Sequence, residues 1–112
     1  MKLPNVEQAF VDEDKITGYL LSETHLGGQD KQAFFTRFGF SVAQWEVMAE
    51  ALVQHAHDHD VVSETSTPHG TKYVIEGVLL TPDERNPAVR TVWTIDTGET
   101  APRLVTAYPL KE

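Results

Sequence analysis

The sequence predicts an α+β protein in which three N-terminal helices pack on one face of a C-terminal, four-stranded antiparallel meander sheet. Apolar residues recur at helical spacing up to His59, and β-branched and aromatic residues dominate after it. The segments that separate the later apolar runs are short and rich in Gly, Pro, Asn and Asp, which favours hairpins over crossover helices. Because an antiparallel sheet can leave one face in water, we expect the helices to cover the other face.

The first helix is predicted over residues 13–22. Val11 and Ile16 bracket Asp12 as a hydrophobic staple brackets an N-cap, and Ile16 with Leu20 forms an apolar i,i+4 pair. The pair Gly27-Gly28 disfavours a helix, so a loop should follow over residues 23–29.

A second short helix should begin after Asp30 as N-cap and end at Gly39, because helices commonly end with a glycine in the left-handed backbone conformation. Ala33, Phe34 and Phe38 have helical spacing within it. Two adjacent rings cannot both face inward, so either Phe34 or its neighbour Phe35 should lie partly exposed at a surface for a partner.

The third helix has the longest amphipathic pattern. Ser41 with Gln44 three positions on has the form of a capping box at its start. One apolar face is then predicted, made of Val42, Trp45, Ala49, Leu52, Val53 and Ala56.

Four strands are predicted over residues 61–65, 71–80, 89–96 and 103–108. The third strand shows a two-residue period most clearly, because Val89, Thr91 and Trp93 alternate with a more polar set at the even-numbered positions from Arg90 to residue 96. The first set should face the core.

Composition restricts the class of protein. The 112 residues suit one domain spanning 1–112, and a 40% hydrophobic fraction suffices for one core. The net charge of −8 favours a basic partner and disfavours nucleic acid, and the absence of cysteine excludes disulfides and thiol catalysis. No signal peptide, membrane span or nucleotide-binding loop is recognisable, so we expect a cytoplasmic protein with no membrane association and no cofactor.

Several short segments carry a resemblance to a known family: Lys15-Ile16, Tyr19-Leu20-Leu21-Ser22, His25, Asp30-Lys31, Ala33-Phe34-Phe35, Gly39-Phe40, Thr91-Val92-Trp93 and the closing residues 102–109. In these segments the chain resembles a family of small bacterial domains of unknown function. The resemblance covers nearly the whole chain and implies no activity. The order of elements is also similar to the barnase, EndoU, colicin and RelE-like nuclease fold, whose members cleave RNA without a metal.

That second likeness implies a candidate catalytic set. His25 in the glycine-flanked loop would act as general base, Lys31, Arg90 and Arg103 would stabilise the pentavalent phosphate, and Thr106 would orient it. Each residue also has an ordinary interpretation, since loop histidines, helix-start lysines and strand arginines are commonly just solvated.

A histidine-rich segment ends the third helix. His55 and His59 lie one helical turn apart, so their imidazoles could share Zn²⁺ or Ni²⁺. The alternative is that histidines at a helix C-terminus complement the helix dipole, which needs no metal.

Two functional hypotheses follow. The first is a non-enzymatic module with an acidic surface that binds a protein partner, which should be basic or carry a basic patch. An open strand edge would also allow a dimer. The second is a metal-independent RNA-cleaving domain centred on His25, Lys31, Arg90 and Thr106. RNA is a partner only under the second hypothesis.

Overall fold

The computed structural model describes residues 1–24 and 29–110 and shows three helices followed by a four-stranded antiparallel sheet. Helix α1 begins as Glu13–Lys15 and continues with π-helical hydrogen bonds through Ile16–Leu20, α2 is Gln29–Arg37, and α3 is Trp45–Asp58. The strands are β1 (Val61–Thr67), β2 (Gly70–Val78), β3 (Ala88–Asp96) and β4 (Arg103–Pro109). Short 3-10 turns at Val6–Gln8 and Val42–Gln44 precede α1 and α3. The predicted α+β class is confirmed.

The helix starts differ from the predicted caps. Asp12 and Ser41 have the extended backbone of N-caps, but neither side chain makes a capping hydrogen bond. The predicted capping box is therefore wrong. Ser41 opens a 3-10 turn, so its contact with Gln44 is a backbone N–H to carbonyl bond of 3.2 Å. Helix α2 begins at Gln29, which places Asp30 inside its first turn.

The sheet is a meander with strand order β1-β2-β3-β4 and every neighbouring pair antiparallel, as predicted. Two irregularities bend its outer strands. One lies between Val61 and Ser63 of β1, and the other leaves Val105 of β4 as an extra residue opposite β3. Both edge strands therefore carry a bulge.

The core lies between the helices and one face of the sheet. Val89, Thr91 and Trp93 of β3 are buried, which confirms the predicted inward face. The helices contribute Ile16, Leu20, Phe35, Met48, Leu52 and Ala56 to the same cluster.

The predicted apolar face of α3 is corrected at both ends. Val42 is 49% exposed because it belongs to the 3-10 turn, where the helical angle between residues no longer holds. Met48 and His55 are buried instead. A histidine does not register in an apolar pattern, so this core position was missed.

The adjacent rings of α2 divide as predicted. Phe35 is fully buried, whereas Phe34 is half-buried and packs on the Phe35 and Phe38 rings at centroid distances of 5.1 and 5.0 Å. Within the described ranges, no helix has both the length and the apolar character needed to cross a bilayer.

Candidate active site on the open face of the sheet

The face of β3 and β4 that points away from the helical core carries most of the polar candidates. Side chains alternate along a strand, and directly opposed residues share a face. The cross-strand pairs on this face are Arg90 with Tyr108, Val92 with Thr106, and Thr94 with Arg103. Thr106 therefore lies between the two predicted arginines.

Tyr19 reaches this face from the π-helical turn of α1. Its hydroxyl lies 3.1 Å from Oγ1 of Thr106, across 87 residues of sequence. The Nζ atoms of Lys15 and Lys31 lie 5.1 and 5.4 Å from the centre of its ring. We call Lys15, Tyr19, Lys31 and Thr106 the Tyr19 cluster.

Local structure explains why these side chains meet. Lys15 and Tyr19 are four residues apart, so they share one face of α1. Ile16 and Leu20, which follow Lys15 and Tyr19 in sequence, are completely buried and anchor α1 in the core. Lys31 lies in the first turn of α2 and approaches the same ring.

The electrostatics of the cluster act on the Tyr19 hydroxyl. Partial burial raises the pKa of Tyr19, but the hydrogen bond with Thr106 and the charges of Lys31 and Lys15 outweigh burial and lower the pKa below its usual value. The phenol is thereby made a stronger acid than a free tyrosine.

Arg90 lies beside the cluster and is held by two side chains. Its Nε donates to the Glu76 carboxylate at 2.6 Å, and its Nη1 donates to the Tyr108 hydroxyl at 3.3 Å. Arg90 is the diagonal cross-strand neighbour of Thr106, a relation that places Cα atoms roughly 7–8 Å apart. The register thus makes Arg90 and Thr106 near neighbours on one face of the sheet.

Arg103 lies on the other side of Thr106. Its Nε donates to Asp96 at 2.8 Å and its Nη2 donates to the second carboxylate oxygen at 3.3 Å. The hydrogen bond from Arg103 is the main reason that the pKa of Asp96 is lowered. Both predicted arginines thus have an acidic partner.

The structure brings Lys31 and Thr106 together on one tyrosine and places Arg90 and Arg103 on the same side of the sheet. His25, the predicted base, lies outside the described residues. Sequence reasoning missed Tyr19 and Lys15. The i,i+4 spacing of a lysine and a tyrosine was visible, but their proximity to Thr106 is a tertiary property.

The predicted metal pair, His55 and His59, is engaged in hydrogen bonds. The Nε2 atom of His55 lies 3.0 Å from the carbonyl oxygen of Gly77, and that of His59 lies 2.8 Å from the carbonyl oxygen of Val78. Carbonyls only accept, so both Nε2 atoms are donors. Among residues 1–24 and 29–110, no group of three or more potential ligands lies close enough to hold a metal ion.

His55 completes a buried chain of hydrogen bonds. The Trp93 Nε1–H donates to the Thr91 hydroxyl at 2.9 Å, and that hydroxyl lies 3.2 Å from Nδ1 of His55. Because Nε2 carries the proton, Nδ1 must accept from Thr91. Burial lowers the pKa of His55, and the Gly77 carbonyl opposes that effect only in part. The imidazole therefore serves the core as a neutral group.

Comparison with known proteins gives a family. The family model described as "Domain of unknown function (DUF6883)" matches residues 2–111. The chain belongs to this family. The resemblance predicted from sequence to a family of unknown function is thus confirmed, and no curated protein matches this DUF6883 chain.

Among solved structures, the DUF6883 chain is similar to one described as "Contact-dependent growth inhibition toxin - immunity protein complex from Klebsiella pneumoniae 342". The TM-score is 0.72 at 16% identity, over 96% of this chain and 97% of that chain. At this identity the likeness establishes a shared fold.

Proposed function

We propose that this domain cleaves RNA without a metal, using the open face of β3 and β4. The observation that carries the proposal is the contact of Tyr19 with Thr106 beneath two lysine ammonium groups. The chain as a whole has a net charge of −8, so two lysine ammonium groups that meet over one tyrosine ring form a local positive site that suits an anionic ligand. A phosphodiester is such a ligand.

The residues suit phosphoryl transfer. Attack on a phosphodiester builds negative charge on the equatorial oxygens, and fixed cations lower the barrier by stabilising that charge. Lys15 and Lys31 approach from the helices, while Arg90 and Arg103 flank Thr106 on the sheet. The Thr106 hydroxyl can orient a phosphate oxygen. The similarity to a chain from a toxin–immunity complex is compatible with RNA cleavage and equally with protein binding, because such a complex contains both kinds of chain.

The test is incubation of the purified domain with mixed-sequence single-stranded RNA in the presence of a chelator. We expect cleavage by the unmodified protein and a loss of about 10²-fold or more in Thr106→Val and Lys31→Ala, because each removes a group from the phosphate site.

Lys2→Ala and Thr65→Val serve as matched controls. Lys2 pairs with Asp60 at the surface, and Thr65 is exposed on β1, the strand farthest from β4. Retained activity in these two variants together with loss in the first two would locate the site. Equal activity in all four variants, or no cleavage by the unmodified protein, would overturn the proposal.

A second candidate function, protein binding, is favoured by strand β1. It is an edge strand with six consecutive exposed residues after Val61, and only Glu64 among them is charged. Such an edge can accept a strand from another chain. The net negative charge would suit a basic partner. The RNA experiment separates the two candidates, since a pure binding module leaves RNA intact.

A further inference from the structure

We propose that Tyr19 is the proton donor to the leaving group during RNA cleavage. The inference rests on the function proposed above and assigns one chemical step to one residue. Tyr19 was not among the catalytic residues predicted from the sequence, and the assignment follows from where the fold holds the phenol.

The position of the hydroxyl is fixed from several directions. Ile16, three residues before Tyr19, and Leu20, the residue after it, are fully buried, so the backbone that carries the ring is anchored in the core. The ring is half-buried between helix and sheet, and its oxygen is 3.1 Å from Thr106. A group that transfers a proton must be both held in place and reachable, and Tyr19 satisfies both conditions.

The step balances as follows. The ribose 2′-oxygen forms a bond to phosphorus while its proton passes to water. The bond between phosphorus and the 5′-oxygen breaks, and the Tyr19 hydroxyl gives its proton to that oxygen, which leaves as an alcohol. The resulting phenolate is then reprotonated by water. The products are a 2′,3′-cyclic phosphate and a 5′-hydroxyl.

Lys15 and Lys31 make proton donation by Tyr19 more favourable. Proton donation leaves a negative charge on the phenol oxygen, and the ammonium groups of Lys15 and Lys31 stabilise that charge. They also attract the phosphate before reaction. The lowered pKa of Tyr19 agrees with this role, because a stronger acid donates its proton more readily at neutral pH.

A structural role is the competing explanation. The same contact could simply tie α1 to β4. The two explanations predict different cleavage rates without the Tyr19 hydroxyl when the leaving group needs no proton. A purely structural role slows cleavage of every substrate, whereas a proton donor is dispensable for such a leaving group.

The experiment compares Tyr19→Phe with the unmodified protein on two oligonucleotides. Both contain the linkage that the unmodified protein cleaves, and in one of them sulfur replaces the 5′-bridging oxygen. A thiolate leaves without protonation. We expect Tyr19→Phe to lose about 10²–10⁴-fold on the oxygen substrate, the range typical of general acid catalysis, and to lose far less on the sulfur substrate.

Tyr108→Phe is the matched control, since it removes a hydroxyl from the same face near Arg90. Any loss in that variant should be the same for both substrates. Equal losses for Tyr19→Phe on the two substrates would overturn the assignment while leaving RNA cleavage intact. Absence of cleavage by the unmodified protein would instead contradict the proposed function itself.

The pH profile gives an independent readout. With Tyr19 as acid, the rate should rise with pH and then level off where the phenol ionises, below its usual value of 10.0. In Tyr19→Phe that break should disappear. A break that persists unchanged would show that another group donates the proton.

Discussion

His55 is a single side chain whose hydrogen bonds connect several elements of the core. Its ring is 2% exposed and links the end of α3 to the backbone of β2 and, through Thr91, to the indole of Trp93. Every polar atom in that chain of bonds has a partner when the imidazole is neutral. A second proton on Nδ1 would remove the acceptor of the Thr91 hydroxyl proton and place a positive charge in the core.

Stability should therefore depend on pH through His55. The folded state lowers the pKa of His55 from 6.5, so below about pH 6.5 the unfolded chain binds a proton that the folded chain does not. We expect the contribution of His55 to the free energy of unfolding to be constant above that pH and to fall below it, by at most about 1.4 kcal/mol per pH unit. Urea denaturation at several pH values measures this.

His55→Gln should flatten that dependence, because an amide can donate to the Gly77 carbonyl and accept from Thr91 without titrating. His57→Gln is the control, since His57 is exposed on the same helix. A pH dependence that survives in His55→Gln and vanishes in His57→Gln would contradict the assignment.

Individual residues of the candidate site were predictable from the sequence only in part. Lys31, Arg90, Arg103 and Thr106 were predictable as residue types suited to phosphate. Their common location depends on strand register and on the bulge at Val105, which no local pattern encodes. Tyr19 was harder still. A single tyrosine in a helix has no signature until its oxygen meets a strand 87 residues away.

At the scale of elements, the strands were the easiest features to predict and the helix ends the hardest. The two-residue period of β3 survives in the structure because one face is truly buried. Helix starts depend on a few backbone angles, and the side chains of Asp12 and Ser41 do not form the expected caps. The predicted apolar face of α3 was wrong at Val42 because this residue lies in the 3-10 turn before the helix starts.

Helix α3 docks on β2 through the His59 ring and Gly77. A Cβ placed on Gly77 would lie 2.4 Å from Cγ of His59, so the ring covers the bare backbone at this point. The rings of His55 and His59 are 4.8 Å apart, and neighbouring carbonyls bind them both. The glycine makes this close approach possible.

Two glycine substitutions should therefore have opposite effects. Gly18→Ala adds a methyl group with nothing within 4 Å and no left-handed backbone to relieve, so it should stabilise the fold by about 0.5–1 kcal/mol. Gly77→Ala should destabilise it by roughly 1–3 kcal/mol, since the His59 ring must move and lose its bond to Val78. Thermal and urea unfolding of both variants test this. A stabilising Gly77→Ala would contradict the docking described above.

For the whole molecule, the notable feature is the uneven distribution of charge. The chain has 17 acidic and 9 basic side chains, and four of the basic ones belong to the Tyr19 cluster or flank Thr106: Lys15, Lys31, Arg90 and Arg103. The rest of the surface should repel a polyanion. RNA should thus be held over a short stretch only.

The small number of cations at the site sets how steeply RNA binding should weaken with salt. If about four phosphates are neutralised, the logarithm of the binding constant should fall with the logarithm of salt concentration at a slope of about −3 for single strands. Fluorescence anisotropy with labelled RNA and the inactive Thr106→Val variant measures the slope. Lys31→Ala should make it shallower by about 0.7, and Lys2→Ala should not. A slope twice as steep would indicate a second basic surface.

The two margins of the sheet are not equivalent. Beyond β4, Phe10 forms a short parallel bridge at Arg103 through bonds to Pro102 and Leu104, and Pro109 at the far end has no N–H to offer. Among the described residues, none pairs with the outer side of β1 after Val61. Copies of the domain that meet edge to edge should therefore join β1 to β1 about a twofold axis, whereas the bridged and proline-ended β4 margin should accept a further copy less readily. Strand pairing between copies should thus favour a closed pair over a growing filament.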